Sequence, residues 1–232
     1  MKRRLLIAVA LGLVVVAVGC VGLYVLMNSR TYQVAGRLVH RVDTADKIVA
    51  LTFDDGPTER TKEILATLGA LSVPATFYLV GRELAARPGE GAAIAAAGHE
   101  IGNHSYSHRR FVLVGPGTVR AEVERTDAEI ERTGYRGPVT FRPPYGKKLF
   151  ALPKYLSDHD RTTVMWDVEP DARDDSDTGR IVRDTLDAVR PGSIILLHAM
   201  YQPDSLAAVT PIVDGLRARG YRFVTVSQLI GE

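Results

Sequence analysis

The amino-acid sequence predicts an α/β fold in which short parallel strands alternate with helices. Short β-branched, apolar runs recur between stretches whose apolar residues fall at helical intervals. Gly and Pro punctuate most of the changeovers. That pattern implies a parallel sheet flanked by helices. With about seven strands, a closed or nearly closed barrel is favoured over an open sheet, although periodicity alone does not decide between them.

The amino terminus stands apart. Met1-Lys2-Arg3-Arg4 precedes an uncharged apolar run from Leu5 through Met27, which ends at Asn28-Ser29-Arg30. As a helix this run is about 34 Å long, enough to cross a hydrocarbon layer of roughly 30 Å. Basic residues precede the span and only Arg30 immediately follows it. The positive-inside bias therefore predicts a single-pass membrane protein with a cytoplasmic amino terminus and an extracytoplasmic domain. The alternative is secretion after signal cleavage, but signal apolar regions are normally only ~7–15 residues long. A lipoprotein-like site at Cys20 is disfavoured because the apolar run continues past it. Cys20 is the only cysteine, so no intrachain disulfide is possible. Removing Lys2, Arg3 and Arg4 from the 29 basic residues leaves 26 against 27 acidic ones, a net of −1. Such a domain has no basic field to recruit nucleic acid, and Arg109-Arg110 reads as a solvated turn. The expected organisation is a stub and anchor over residues 1–30, a polar tether over 31–46 and one domain over 47–232. No obligate protein partner is expected.

Within the domain, Lys47–Leu51 reads as a buried parallel strand. Gly56-Pro57 stops it, and Ile64, Leu65, Leu68 and Leu71 mark a helix over Thr58–Leu71. Ala75–Val80 and His99–Asn103 read as strands on either side of an Ala-rich helix near 91–97. Thr118–Thr133 is helical, with Gly134 as its stop. Val139–Phe141, Thr162–Trp166, Ser193–Leu197 and Arg222–Val226 supply further strands, and helices over Thr178–Val189 and Ser205–Arg219 separate the last three. Gly56 and Gly102 are expected at tight turns.

Two clusters sit where apolar runs end. Asp54 and Asp55 lie at the carboxyl end of the first domain strand, where alternating folds place their chemistry. His104 and His108 open a polar stretch and share a face if it turns helically. Together they offer three metal ligands and one spare carboxylate, the inventory of a hydrolytic site that activates water. Mixed imidazole and carboxylate donors suit zinc or another borderline divalent ion. His40, His99 and His159 read as ordinary structural residues, and Asn103 as a brace for the His104 loop.

Five segments in this order resemble the polysaccharide deacetylases with the NodB homology domain, carbohydrate esterase family 4. They are Thr52-Phe53-Asp54-Asp55-Gly56-Pro57, His104-Ser105-Tyr106-Ser107-His108, Arg142-Pro143-Pro144-Tyr145-Gly146, Trp166-Asp167-Val168-Glu169-Pro170-Asp171 and Leu196-Leu197-His198. The resemblance covers roughly 47–232. It implies a distorted (β/α) barrel and hydrolysis of N-acetyl groups on an amino-sugar polymer, peptidoglycan or a chitin-like chain. It further implies that Asp54 is the general base and that Asp55, His104 and His108 hold one divalent metal ion, Zn2+ by expectation, whose water is the nucleophile. By the same resemblance Arg142 pairs with Asp54, His198 is the general acid, Tyr145 supplies a backbone N–H to the oxyanion, and Leu196 lines the acetyl slot. The fourth segment departs from the family pattern, since no acidic residue there is followed by Trp. Trp166 is then the candidate wall, and Asp171, with Asp167 as alternative, the partner of His198. Competing readings are a catalytically silent carbohydrate-binding protein on the same fold and an O-acetyl esterase.

Overall fold

In the computed structural model, which describes residues 2–173 and 177–232, strand β2 (Ile48–Asp55) is the axis of the domain. Met1, part of the expected stub, lies outside the described residues. Going out from β2, parallel ladders join it to β3 (Thr76–Leu79), to β6 (Ile194–Leu197) and, through Ile48–Ala50, to β7 (Arg222–Val224). β3 pairs in turn with β4 (Glu100–Asn103). Residues 49–54 of β2 are all buried, as a strand covered on both faces requires. On one side Phe53 packs with Ile64 and Leu68 of α2 (Thr61–Leu71), Ile94 of α4 (Pro88–Ala96), Ile181 of α7 (Thr178–Ala188) and Val209 and Val213 of α8 (Pro203–Ala218). On the other, Ala50 packs with Tyr78, Met165, Trp166 and Leu196, under Val226 and Leu229 of α9 (Val226–Ile230). A third cluster joins Val119 and Val123 of α5 (Pro116–Arg132) to Phe111, Phe141 and to Leu152 and Leu156 of α6 (Ala151–Asp158). Helix ends follow their sequence cues: Asp177 accepts the Arg180 N–H at α7, and Thr225 with Gln228 closes a capping box at α9.

Seven strands are present among the described residues, but their ladders do not make a continuous barrel. They form one open five-stranded sheet and a two-stranded ribbon of β1 (Leu38–Val39) and β5 (Thr163–Val164). Single bridges, Asn103–Phe141, Phe141–Thr163 and Val168–Ile195, span the intervals between them. Pro138, Pro143 and Pro144 flank Phe141 and offer no N–H to a ladder, so the expected strand there shrinks to those bridges. The stretch expected as a tether is held against the domain. It contributes β1, and buried Gln33 donates from Nε2 to the Ala35 carbonyl at 2.7 Å. Helix α1 (Lys2–Asn28) is long and apolar enough to cross a membrane or to serve as a signal sequence, and its described side chains are exposed up to Val25.

Gly56 and Gly102 are not turn residues. Gly102 lies inside β4, where an added Cβ would come 2.4 Å from the Tyr78 ring. At Gly56 it would come 2.7 Å from the Met200 sulfur. Both are glycine for want of room. Tyr78 is fully buried, with its hydroxyl 2.8 Å from Thr140 Oγ1. Gly102→Ala is therefore expected to destabilise the domain by about 1–3 kcal/mol through overpacking, read as a lower denaturant midpoint at unchanged slope.

Candidate active site

Asp54 and Asp55 are the last residues of β2 and lie in register with Tyr78 and Leu79 of β3. The preceding alternation sends Thr52 and Asp54 to the same face. Against that face lies Arg142, fully buried. Its Nη1 donates to Asp54 Oδ1 at 2.6 Å and to Thr52 Oγ1 at 2.8 Å. Nε and Nη2 donate to the carbonyls of Val164 and Met165, each at 3.3 Å. The guanidinium also lies 4.0 Å over the Tyr78 ring. Burial pushes the Tyr78 phenol well above its usual range.

The histidines converge without a helix. Ser105 and His108 take positive φ, 64° and 57°, so the loop folds back on itself. Asn103 braces it, accepting the Ser105 N–H at 2.9 Å and donating to Asp127 at 2.8 Å. Glu122 accepts both the N–H and the hydroxyl of Ser107. His104 Nδ1 lies 2.8 Å from the Arg142 carbonyl, which can only accept. That ring nitrogen therefore donates, and Nε2 is the atom turned towards Asp55. His108 Nε2 is 2.9 Å and His104 Nε2 3.6 Å from Asp55 Oδ1. Ligand atoms of Asp55, His104 and His108 all lie within 4.8 Å of one another. Burial raises the Asp55 carboxyl, but hydrogen bonds and charge from the two histidines outweigh it and hold the carboxyl below the usual range. Two imidazoles and one carboxylate so placed fit a borderline divalent cation.

Across the cleft, His198 follows β6 and shares its alternation with buried Leu196. Its partner is Asp171, whose Oδ1 lies 3.1 Å from His198 Nδ1 and whose Oδ2 accepts the His198 N–H at 2.6 Å. Ser205 donates to that second oxygen at 2.5 Å. Asp167 is occupied elsewhere, accepting from the Ser193 hydroxyl and the Ile194 N–H at the start of β6. Burial disfavours the His198 imidazolium. The hydrogen bond and charge of Asp171, with Asp54 and Asp55 farther off, outweigh that and push its pKa up to about 9. Asp171 stays below the usual carboxylate range, since His198 more than offsets its burial.

The cleft has a volume of about 260 Å³ and brings together the Asp54–Asp55 and His104–His108 pairs with Tyr145, Trp166, Leu196 and His198. Tyr145 is half exposed, left-handed at φ 58°, with its ring 4.7 Å from that of His108. All ten residues expected at the site thus meet there or, as Arg142 and Asp171, directly behind it. Arg30 and Glu169 also line the cleft. No sequence signal points to Arg30, and Glu169 is marked only by lying in the fourth segment. His99 is a satisfied structural residue: its Nδ1 accepts the Ala75 N–H at 3.3 Å, and burial lowers its pKa to about 4. His159 Nδ1 donates to the Tyr155 carbonyl at 2.7 Å.

Comparison with known proteins identifies the family of the chain. Residues 41–164 match the family model described as polysaccharide deacetylase. The chain is 35% identical over 185 residues to a peptidoglycan-N-acetylglucosamine deacetylase of Bacillus cereus, covering 78% of this chain and 67% of that protein. It is 34% identical over 190 residues to the peptidoglycan-N-acetylmuramic acid deacetylase PdaC of Bacillus subtilis, covering 81% of this chain but only 40% of that longer protein. The crystal structure of the Bc1960 peptidoglycan N-acetylglucosamine deacetylase superposes with a TM-score of 0.79 at 32% identity, covering 83% of this chain and 92% of the other. With more than half its length on the family model and its fold shared with a solved deacetylase, this chain belongs to the polysaccharide deacetylase family.

Proposed function

We propose that the protein is a metal-dependent hydrolase that removes N-acetyl groups from an amino-sugar polymer, with peptidoglycan as the polymer that its relatives' names favour. The observation that carries this reading is the convergence of Asp55, His104 and His108 beside an Arg142-bound Asp54, with an Asp171-bound His198 in the same cleft. Asp55, His104 and His108 would hold the cation, which when bound supplies a Lewis acid and lowers the pKa of water. Asp54 receives the proton of the attacking water, because Arg142 holds one of its oxygens and fixes the orientation of the other. Water adds to the acetyl carbon, and the Tyr145 N–H is the donor assigned to the developing oxyanion. His198 gives its proton to the sugar nitrogen, the C–N bond breaks, and acetate and a free amine leave. Leu196 and Trp166 form the apolar wall against the acetyl methyl and the sugar.

Helix α1 is assigned as an anchor that keeps the domain outside the cytoplasmic membrane. A cleaved signal would instead leave a mature protein lacking α1, which amino-terminal sequencing of the purified protein distinguishes.

Zinc-loaded protein is expected to release acetate from acetylated glycan oligomers, and chelation to stop it reversibly. His104→Ala should abolish the metal content and turnover, and Asp54→Asn should lower kcat by about 10²–10⁴-fold. Unimpaired glycan binding without turnover, before and after chelation, would establish a silent binding protein instead. Faster release from O-acetyl esters than from amides would reassign the bond cleaved.

The raised His198 pKa sets the alkaline limb of the pH profile, since the protonated form is the acid. Activity should fall as pH rises through about 9, and Asp171→Asn should move that limb down towards the ordinary histidine value of 6.5. The same shift stabilises the fold fully below pH 6.5 and is lost as pH rises through about 9.

A further inference from the structure

Arg30 precedes the stretch that matches the family model and sits two residues beyond the end of α1, yet it lines the cleft. Its place there is built. Lys148, fully buried, donates from Nζ to the Ser29 carbonyl at 2.5 Å and from its backbone to the Met27 carbonyl at 3.4 Å. Lys147 Nζ donates to Asn28 Oδ1, and the Tyr32 N–H bonds Ser29 Oγ at 3.0 Å. The segment is thereby pinned to the loop that follows Tyr145. From it Arg30 reaches over the Trp166 ring, with its Cζ 4.6 Å from the centroid. Its Nη2 donates to Glu169 Oε2 at 2.6 Å, and Trp166 Nε1 donates to that same oxygen at 2.8 Å.

The pair is asymmetric. The Glu169 side chain is 13% exposed and that of Arg30 46%, so the carboxylate serves as the inner support and the guanidinium as the surface offered to a ligand. Among the described residues lining the cleft, Arg30 is the one Lys or Arg, set among the carboxylates of Asp54, Asp55 and Glu169. A stacked, oriented guanidinium is a poor investment for a neutral sugar, whereas its planar fork matches a carboxylate. We propose that Arg30 is a specificity-determining residue of the cleft, receiving a carboxylate carried by the glycan beside the acetamido group that is cut. This rests on the deacetylase reading and deepens it: the favoured substrate is an acidic amino-sugar polymer, such as one bearing lactyl or peptide carboxylates, over a neutral one.

The test uses the full chain in detergent, as wild type, Arg30→Ala and Arg30→Lys, with three probes. These are a peptidoglycan-derived tetrasaccharide with free peptide carboxylates, the same fragment with those carboxylates amidated, and a neutral N-acetylglucosamine tetramer. Arg30→Ala should lower kcat/KM on the acidic fragment about tenfold, chiefly through KM, and change the other two by less than about twofold. Arg30→Lys should recover part of the loss, because it keeps the charge without the fork. Equal losses on all three probes, or none on any, would overturn the proposal. So would a lowered Tm with no discrimination between probes, which marks a merely structural role. If the wild type releases acetate from no probe, the deacetylase reading fails. Calorimetric binding of the acidic against the amidated fragment then decides Arg30 separately: a preference lost in Arg30→Ala keeps its assignment, and no preference removes it.

Discussion

The buried charge of Arg142 is the constraint around which the site is organised. A guanidinium withdrawn from water is tolerated only where its donors are met and a counter-charge is close. Here the counter-charge is Asp54 and the remaining donors go to Thr52, Val164 and Met165. One side chain thus ties the end of β2 to the end of β5. The Arg142 carbonyl also fixes the His104 ring. The Asp54 carboxylate and the His104 ring are therefore oriented by one residue. The space for that residue depends on Tyr78 lying flat beneath the guanidinium, and on Gly102 leaving room for the Tyr78 ring.

The two acid-base groups have opposite surroundings. Asp54 meets the permanently charged guanidinium of Arg142. His198 meets an anion, Asp171, that is itself steadied by Ser205 and by the His198 N–H. Asp167, the other sequence candidate, bonds Ser193 and Ile194 at the start of β6 and so positions the strand that His198 follows.

Much of this was legible in the sequence where a local signal exists. The β-branched run before Asp54 ends at Gly56-Pro57, so both strand and placement could be read. The residue inventory at His104 and His108 was equally plain, but their convergence was not. It depends on left-handed backbone at Ser105 and His108, a conformation that is uncommon for any single non-glycine residue. Asp171 is preferred over Asp167 in the sequence, and the fold supplies the reason: Asp167 bonds Ile194 at the start of β6, whereas Asp171 lies against His198 beyond its end. Pro153 lies in the first turn of α6, where its absent N–H costs nothing. β1 escaped because two residues in a polar stretch carry no periodicity. Arg30 was invisible for a different reason: its neighbours are supplied by docking from distant segments, as residues 30 and 169 meet across 139 positions.

Strand β2 is paired with β3 through Asp54 and Asp55 themselves, and with β6 as far as Phe53. Its two carboxylates therefore cannot drift independently of the sheet, whereas Tyr145, Trp166, Glu169 and Arg30 stand on irregular segments around the mouth. The consequence is mechanical: the side chains at the end of β2 are held by strand pairing, whereas those around the mouth can be exchanged without breaking any ladder of the sheet.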